Sequence, residues 1–192
     1  PNHWNTSWDQ ARFESVGHRF ADLSERDYGV ALLNDCKYGY DVKDNVLRIS
    51  LLRSGKQPDH IQDVGMHTFT YALLPHTGDL VDGGVVKSAH ALNNPMQTVA
   101  GCEEKGSASF FTVDNAQVEI DAVKKSEDGK YLVIRFHDFA GAKQKVRVKP
   151  EFAFKAWAEG DLRERPTEEM RTENAVEVSL HPYEIITLLF EL

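Results

Sequence analysis

The sequence predicts an all-β fold, a β-sandwich, and three observations carry that reading. Short segments rich in β-branched and aromatic residues recur at roughly 8 to 12 residue spacing. Several of them alternate apolar with polar side chains, as half-buried strands do. Residues that tolerate a positive φ separate them. In chain order the strands are expected at Arg12 to Val16, Arg19 to Leu23, Val30 to Leu33, Val46 to Leu52, Thr68 to Leu74 and Ser109 to Val113. They continue at Val118 to Val123, Tyr131 to His137, Lys145 to Val148, Val176 to Leu180 and Ile185 to Phe190.

Alternation is cleanest in two places. Phe69, Tyr71 and Leu73 oppose Thr68, Thr70 and Ala72, and Val146 and Val148 oppose Lys145, Arg147 and Lys149. The first member of each set is expected to be buried and the second wet. Turns are expected at Lys43-Asp44-Asn45, His76-Thr77-Gly78-Asp79, Asp82-Gly83-Gly84 and Asp128-Gly129, which suits meandering hairpins. Val85, Val86, Ala89 and Leu92 carry the one helical rhythm, ended by Asn93-Asn94-Pro95. Gly101 to Ser107 and the charge-rich Glu159 to Thr172 are expected as loops or boundaries.

Composition narrows the function classes. The chain of 192 residues has 22 Lys+Arg against 30 Asp+Glu, a net charge of −8, with 41% hydrophobic residues. That is enough apolar content for a folded core. The acidic balance argues against tracking phosphates, so nucleic acid is not an expected partner. The apolar runs are strand-sized, too short to cross a bilayer as helices, so no membrane is expected either. No signal-peptide pattern opens the sequence. Cys36 and Cys102 are far apart and outside any C-x-x-C pattern, which reads as two buried thiols of a cytoplasmic protein. Asn5-Thr6-Ser7 is a lone glycosylation sequon, relevant only to a secreted chain.

Metal and nucleotide motifs are not found. Asp59, His60, Asp63 and His67 lie close together but match no metal-ligand spacing, so no metal or other cofactor is expected in this chain. The densest unusual segment is Asn34-Asp35-Cys36-Lys37-Tyr38-Gly39-Tyr40-Asp41, between two strands and followed by Arg53 at an expected strand end. Polar, aromatic and basic groups held where strands stop suit sugar recognition. The competing reading is turn-building, with Asn34 and Asp35 bonding local backbone and the tyrosines covering a sandwich edge.

At these residues the sequence resembles a known family. Asn5-Thr6-Ser7-Trp8, Phe20-Ala21-Asp22-Leu23-Ser24-Glu25, the run Gly29 to Tyr40, Leu51-Leu52-Arg53-Ser54 and His67 to Leu73 are similar to the C-terminal region of α-mannosidases of glycoside hydrolase family 38. The likeness is to the branch with the cytosolic and vacuolar enzymes, and it continues through Leu92 to Pro95, Phe110 to Val113, Ala122 to Asp128 and Pro182 to Ile185.

The resemblance implies a parent enzyme and a missing part. It implies that residues 1–112 are the end of a large β-sandwich module and 113–192 a small terminal β-sandwich. It also implies a retaining hydrolase of terminal α-linked mannose in oligosaccharides, whose catalytic α/β-barrel lies elsewhere in the parent with a divalent metal, usually zinc. This chain is then non-catalytic, packs on that barrel and lends loops to the substrate site. The parent has room to be a homo-oligomer. By resemblance Arg53 matches a strand-end arginine near the bound mannose, and Lys37, Tyr38, Asn34 and Asp35 are further substrate-binding candidates. A guanidinium suits that place because its fan of N–H donors holds hydroxyls without changing protonation. The alternative is an autonomous carbohydrate-binding or interaction module, which should present an isolated aromatic platform rather than a broad apolar face.

Overall fold

The computed structural model describes residues 6–10, 14–101 and 106–192, and the chain divides into two compact units, Pro1–Ala100 and Gly101–Leu192. Antiparallel strands dominate both, as expected for an all-β chain.

The first unit runs α1 (Ser7–Gln10), β1 (Glu14–Val16), β2 (Phe20–Ser24), β3 (Tyr28–Asn34), β4 (Gly39–Lys43), β5 (Val46–Ile49), β6 (Tyr71–Thr77) and α2 (Val85–Asn93). Its strands form two three-stranded sheets, ordered β2-β3-β6 and β1-β4-β5. Residues opposite each other on adjacent strands share a face. Leu33 lies opposite Phe20 and Ala72, and Ala31 opposite Asp22 and Leu74. Ala31 and Leu33 meet Val85 and Ala89 of α2, with Phe20, Ala72, Leu74, Leu80 and Leu92 around them. The helix therefore covers this face, and Gly84 precedes it with φ 63°. Asparagine ends it as expected, because Asn94 donates both its N–H and its side-chain amide to the His90 carbonyl.

The second unit runs β7 (Phe111–Val113), β8 (Val118–Lys125), β9 (Tyr131–Asp138), β10 (Gln144–Pro150), β11 (Ala156–Gly160), β12 (Val176–Leu180) and β13 (Ile185–Glu191). Two sheets, β12-β10-β7 and β11-β13-β9-β8, supply one core. Phe111, Val146, Val148, Val176, Val178 and Leu180 come from the first sheet, and they meet Ile134, Phe136, Trp157, Ile186, Leu188 and Phe190 from the second. This is a sandwich interior built by period-two burial. In β10, Val146 and Val148 are buried while Lys145, Arg147 and Lys149 are wet, as the alternation predicts. Because β7 pairs with β10 through Phe111 opposite Pro150, the stretch before Val113 belongs to this sandwich.

Several expectations shift. Phe69 is half-buried between exposed Thr68 and Thr70 as expected, but from Tyr71 to Leu74 the alternation is reversed: Tyr71 and Leu73 are 57% and 68% exposed, while Ala72 and Leu74 turn toward α2. Strand β4 overlaps the end of the segment read as a polar cluster, and β11 overlaps the region read as charge-rich loop. Strand β5 stops at Ile49, so Arg53 is not at a strand end. Cys36 is exposed rather than buried, because it sits in the loop between β3 and β4. Cys102, Asn5 and the first two residues of the strand expected at Arg12 lie outside the described residues.

Candidate functional site

The loop between β3 and β4 is organised from below by Asn34. This residue is 1% exposed, and its Oδ1 accepts the backbone N–H groups of Cys36 (3.0 Å) and Lys37. Its side-chain amide donates to the Tyr40 hydroxyl, also buried. Burial pushes the Tyr40 phenol above its ordinary range, with the Asn34 bond opposing, so the hydroxyl stays protonated. The Asn34 carbonyl accepts the Asn93 side-chain amide at 3.0 Å, and the same amide donates to the Ala89 carbonyl at 2.9 Å. The last turn of α2 is thus bonded to the base of the loop.

Neighbouring segments fix its sides. Asp35 exchanges two hydrogen bonds with Thr70, accepting the Thr70 N–H at 2.9 Å and donating its own N–H to the Thr70 carbonyl at 3.2 Å. The Thr70 bond, then the Cys36 thiol, hold the Asp35 carboxyl below its ordinary range, so it is anionic at neutral pH. Its carboxylate also holds the Cys36 thiol above the ordinary value, which lowers the thiolate fraction of this exposed side chain at neutral pH. The Lys37 ammonium lies over the Phe69 ring, 5.1 Å from its centre. Tyr38 is 52% exposed and its ring rests on His18 at 4.9 Å, while its carbonyl accepts the Gly17 N–H at 3.0 Å.

The four loop residues therefore divide by position. Asp35, Lys37 and Tyr38 offer an acceptor, a cation and an aromatic face to solvent, whereas Asn34 lies beneath them with its amide engaged in the loop itself. Arg53 is exposed, four residues beyond β5. Its segment is organised by Asp63, whose carboxylate accepts the Ser54 N–H at 2.9 Å and whose carbonyl meets the His67 ring at 2.9 Å. Among the described residues no hydrogen bond or ion pair joins Arg53 to the loop. Sequence reading missed the Tyr40 and Asn93 contributions; the signal was the alternation of Tyr40 and Val42 just before the Lys43-Asp44-Asn45 turn.

Among the described residues no group of three His, Cys, Asp or Glu converges. Asp59 instead accepts the Ile61 N–H at 3.0 Å, as a turn-former does. Glu159 has a carboxyl raised by burial and by Glu168, but Glu168 is bound to Arg171 and accepts the Glu159 N–H at 3.2 Å. No described helix is long and apolar enough to cross a membrane.

Comparison with known proteins gives the same family from sequence models and relatives, and the same fold from a solved structure. Sequence models for the glycosyl hydrolases family 38 C-terminal domain and the family 38 C-terminal beta sandwich domain match residues 1–61 and 117–188. The chain is 38% identical over 200 residues to alpha-mannosidase 2C1 of Homo sapiens, covering all of this chain and 19% of that protein. It is 45% identical over 148 residues to alpha-mannosidase G of Dictyostelium discoideum, covering 74% of this chain and 14% of that one. The chain therefore spans about a fifth or less of the length of these curated relatives. A crystal structure of an alpha-mannosidase from Enterococcus faecalis V583 superposes with TM-score 0.77 at 21% identity, over 100% of this chain and 23% of that one, which shows the shared fold. The two domain matches and the full-length relative together place the chain in glycosyl hydrolases family 38, as a C-terminal region of that family.

Proposed function

We propose that this chain is the non-catalytic C-terminal part of a retaining α-mannosidase that removes terminal α-linked mannose from oligosaccharides. The observation that carries the reading is the match of the whole chain, at 38% identity, to a protein named alpha-mannosidase 2C1. Catalysis then belongs to a barrel elsewhere in the parent, together with its divalent metal, zinc by family resemblance. The chain packs on that barrel and lends it the loop from Asp35 to Tyr38 and the segment carrying Arg53. In this reading Asp35 accepts sugar hydroxyls, Lys37 donates to them and Tyr38 offers a ring to the sugar's C–H face, while Asn34 holds the loop in shape. The parent works in the cytoplasm, and a homo-oligomer is compatible with it.

Arg53→Ala in the full-length parent tests the site assignment. A charge-assisted hydrogen bond is worth about 1.5 to 3 kcal/mol, so kcat/KM should fall by roughly 10- to 150-fold. Because Arg53 is exposed and outside any strand, the melting temperature should hardly move. Unchanged kinetics with a lower melting temperature would instead make Arg53 a packing residue between parts of the parent.

A further inference from the structure

Two adjacent asparagines close α2, and their bonds differ. Asn94 caps the helix locally, since its N–H and its side-chain amide both go to the His90 carbonyl, at 2.9 and 3.1 Å. Asn93 reaches further: its amide donates to the Ala89 carbonyl of its own helix and also, at 3.0 Å, to the Asn34 carbonyl of β3, 59 residues away in sequence. Capping does not call for that second bond. Asn34 is the last residue of β3, one place beyond the Phe20–Leu33 pair that ends the ladder with β2. It is held on every side, with its N–H on the Arg19 carbonyl at 2.8 Å, its Oδ1 accepting from Cys36 and Lys37, and its amide on the Tyr40 hydroxyl. Tyr40 is fixed in turn, because Gly17 lies against its ring, where a Cβ would come within 3.2 Å. A satisfied polar network of this kind specifies one conformation. The helix is a firm anchor for it, since Val85 and Ala89 pack on Ala31 and Leu33 of the same strand whose end Asn93 holds.

We propose that Asn93 is a positioning residue for the sugar, tying α2 to the end of β3 so that Asp35, Lys37 and Tyr38 are presented in one fixed arrangement. The inference rests on the reading of this loop as part of a mannoside site. Asn93 touches no substrate itself and acts through Asn34. All three surface residues follow Asn34 within four positions, so a rotation of the Asn34 peptide displaces them together. Recognition by several hydrogen bonds is sensitive to such a shift, since a misplacement of about 1 Å can cost roughly 100-fold in rate. The other supports of the loop, Thr70 against Asp35 and Phe69 under Lys37, come from the segment that enters β6. Asn93 is the contact through which α2 sets the loop.

Kinetics of the full-length parent, unaltered and as Asn93→Ala and Asn94→Ala, test this with an oligosaccharide bearing terminal α-linked mannose. Asn93→Ala should lower kcat/KM by about tenfold or more, chiefly through KM, because the loop binds the sugar and does not carry out the chemistry. Asn94→Ala removes only a local cap, so KM should stay within about twofold. Equal kinetic losses in the two variants, or unchanged kinetics in Asn93→Ala, would overturn the proposal. The Cys36 thiol gives a second readout that needs no substrate. Its N–H is bonded to Asn34 Oδ1, and the Asp35 carboxylate holds its thiol above the ordinary value. Alkylation of Cys36 by N-ethylmaleimide, followed by mass spectrometry, should speed up by about threefold or more in Asn93→Ala as the loop is released, and keep its rate in Asn94→Ala. The two readouts separate this proposal from the proposed function. An unaltered parent that cleaves no α-mannoside refutes that function, while a faster Cys36 reaction confined to Asn93→Ala still upholds the positioning of the loop. An active parent in which Asn93→Ala alters neither KM nor the Cys36 rate does the reverse.

Discussion

His76 shows how a single side chain can be read in two ways from sequence and one way from structure. The motif around it, His76-Thr77-Gly78-Asp79, signals a turn, but the ring is buried and its Nε2 meets Asp22 Oδ1 at 2.9 Å. Glycine is required on both sides of the ring, since a Cβ on Gly29 would lie 2.5 Å from its Cε1 and one on Gly83 would lie 2.3 Å from its Nδ1. The Asp22 hydrogen bond raises the His76 pKa above its ordinary value against the opposing effect of burial. A raised folded-state pKa stabilises the fold fully below the unfolded value, near 6.5, and the contribution is lost as pH rises through the folded value. The denaturant midpoint of the first unit should therefore decline from about pH 6.5 upward, and this decline should vanish in Asp22→Asn. A pH slope that survives that substitution would assign it to another group. No spacing rule links residues 22 and 76, so this pair was not legible before the register of β2, β3 and β6 was known.

At the level of elements, the sandwich connections are held by Asp138 at the end of β9. Its carboxylate accepts N–H groups from Ala140, Gly141 and Ala142 in the β9–β10 connection, and from Tyr183 between β12 and β13. Gln144 adds its side-chain amide. Burial works to raise this carboxyl, but the N–H bonds from Tyr183, Gly141, Ala140 and Ala142 outweigh it, and the pKa lies below the ordinary range. The sign is opposite to that of His76: the stabilisation is present at neutral pH and fades as acid carries the pH down through the folded value. Asp138→Ala leaves several N–H groups without their acceptor and should destabilise the second unit by about 3 kcal/mol or more, read from the denaturant midpoint. A loss under about 1 kcal/mol would mean that water replaces the carboxylate.

Most strands were legible because β-branched and aromatic runs between turn residues survive any packing arrangement. The two missed strands explain the limit. Gly39-Tyr40-Asp41-Val42-Lys43 has weak strand propensity and is held in place by pairing with both β1 and β5. Ala156-Trp157-Ala158 reads as a short apolar run beside a charged stretch, yet it pairs with β13, and Trp157 is capped by the Arg171 guanidinium at 4.7 Å and donates to the Glu173 carbonyl at 3.0 Å. Pairing decided both, for β11 with a strand about thirty residues further on and for β4 with its hairpin neighbour and with β1. The candidate loop was half legible: its surface residues stood out as odd chemistry, but the buried amide network under them depends on α2, which lies about sixty residues further on.

For the whole molecule, the 192-residue chain should fold and leave mannosides intact. Retaining hydrolysis needs two carboxyl groups about 5 Å apart with the sugar between them, and the proposed function assigns those groups to the absent barrel. Purified chain that turns over an aryl α-mannoside, and is stopped by an active-site inhibitor, would refute that assignment. The two units also differ in self-sufficiency. Fully buried Phe136, Trp157, Leu188 and Phe190 fill the second, whereas the first surrounds a smaller interior of Ala31, Leu33, Val85 and Ala89.

Strand order in the second unit bears on how the protein is made. In the sheet β11-β13-β9-β8 the last strand in sequence occupies an interior place, pairing with β11 on one side and β9 on the other. During synthesis the β8–β9 hairpin can form as soon as its Asp128-Gly129 turn has emerged, but β11 has no strand beside it in this sheet until Ile185 to Glu191 follow. Trp157 and the apolar face of β9 consequently remain open to water, and to chaperones, for the time the ribosome takes to reach Glu191. Any message that stops before Ile185 yields two fragments of a sheet with no strand to join them.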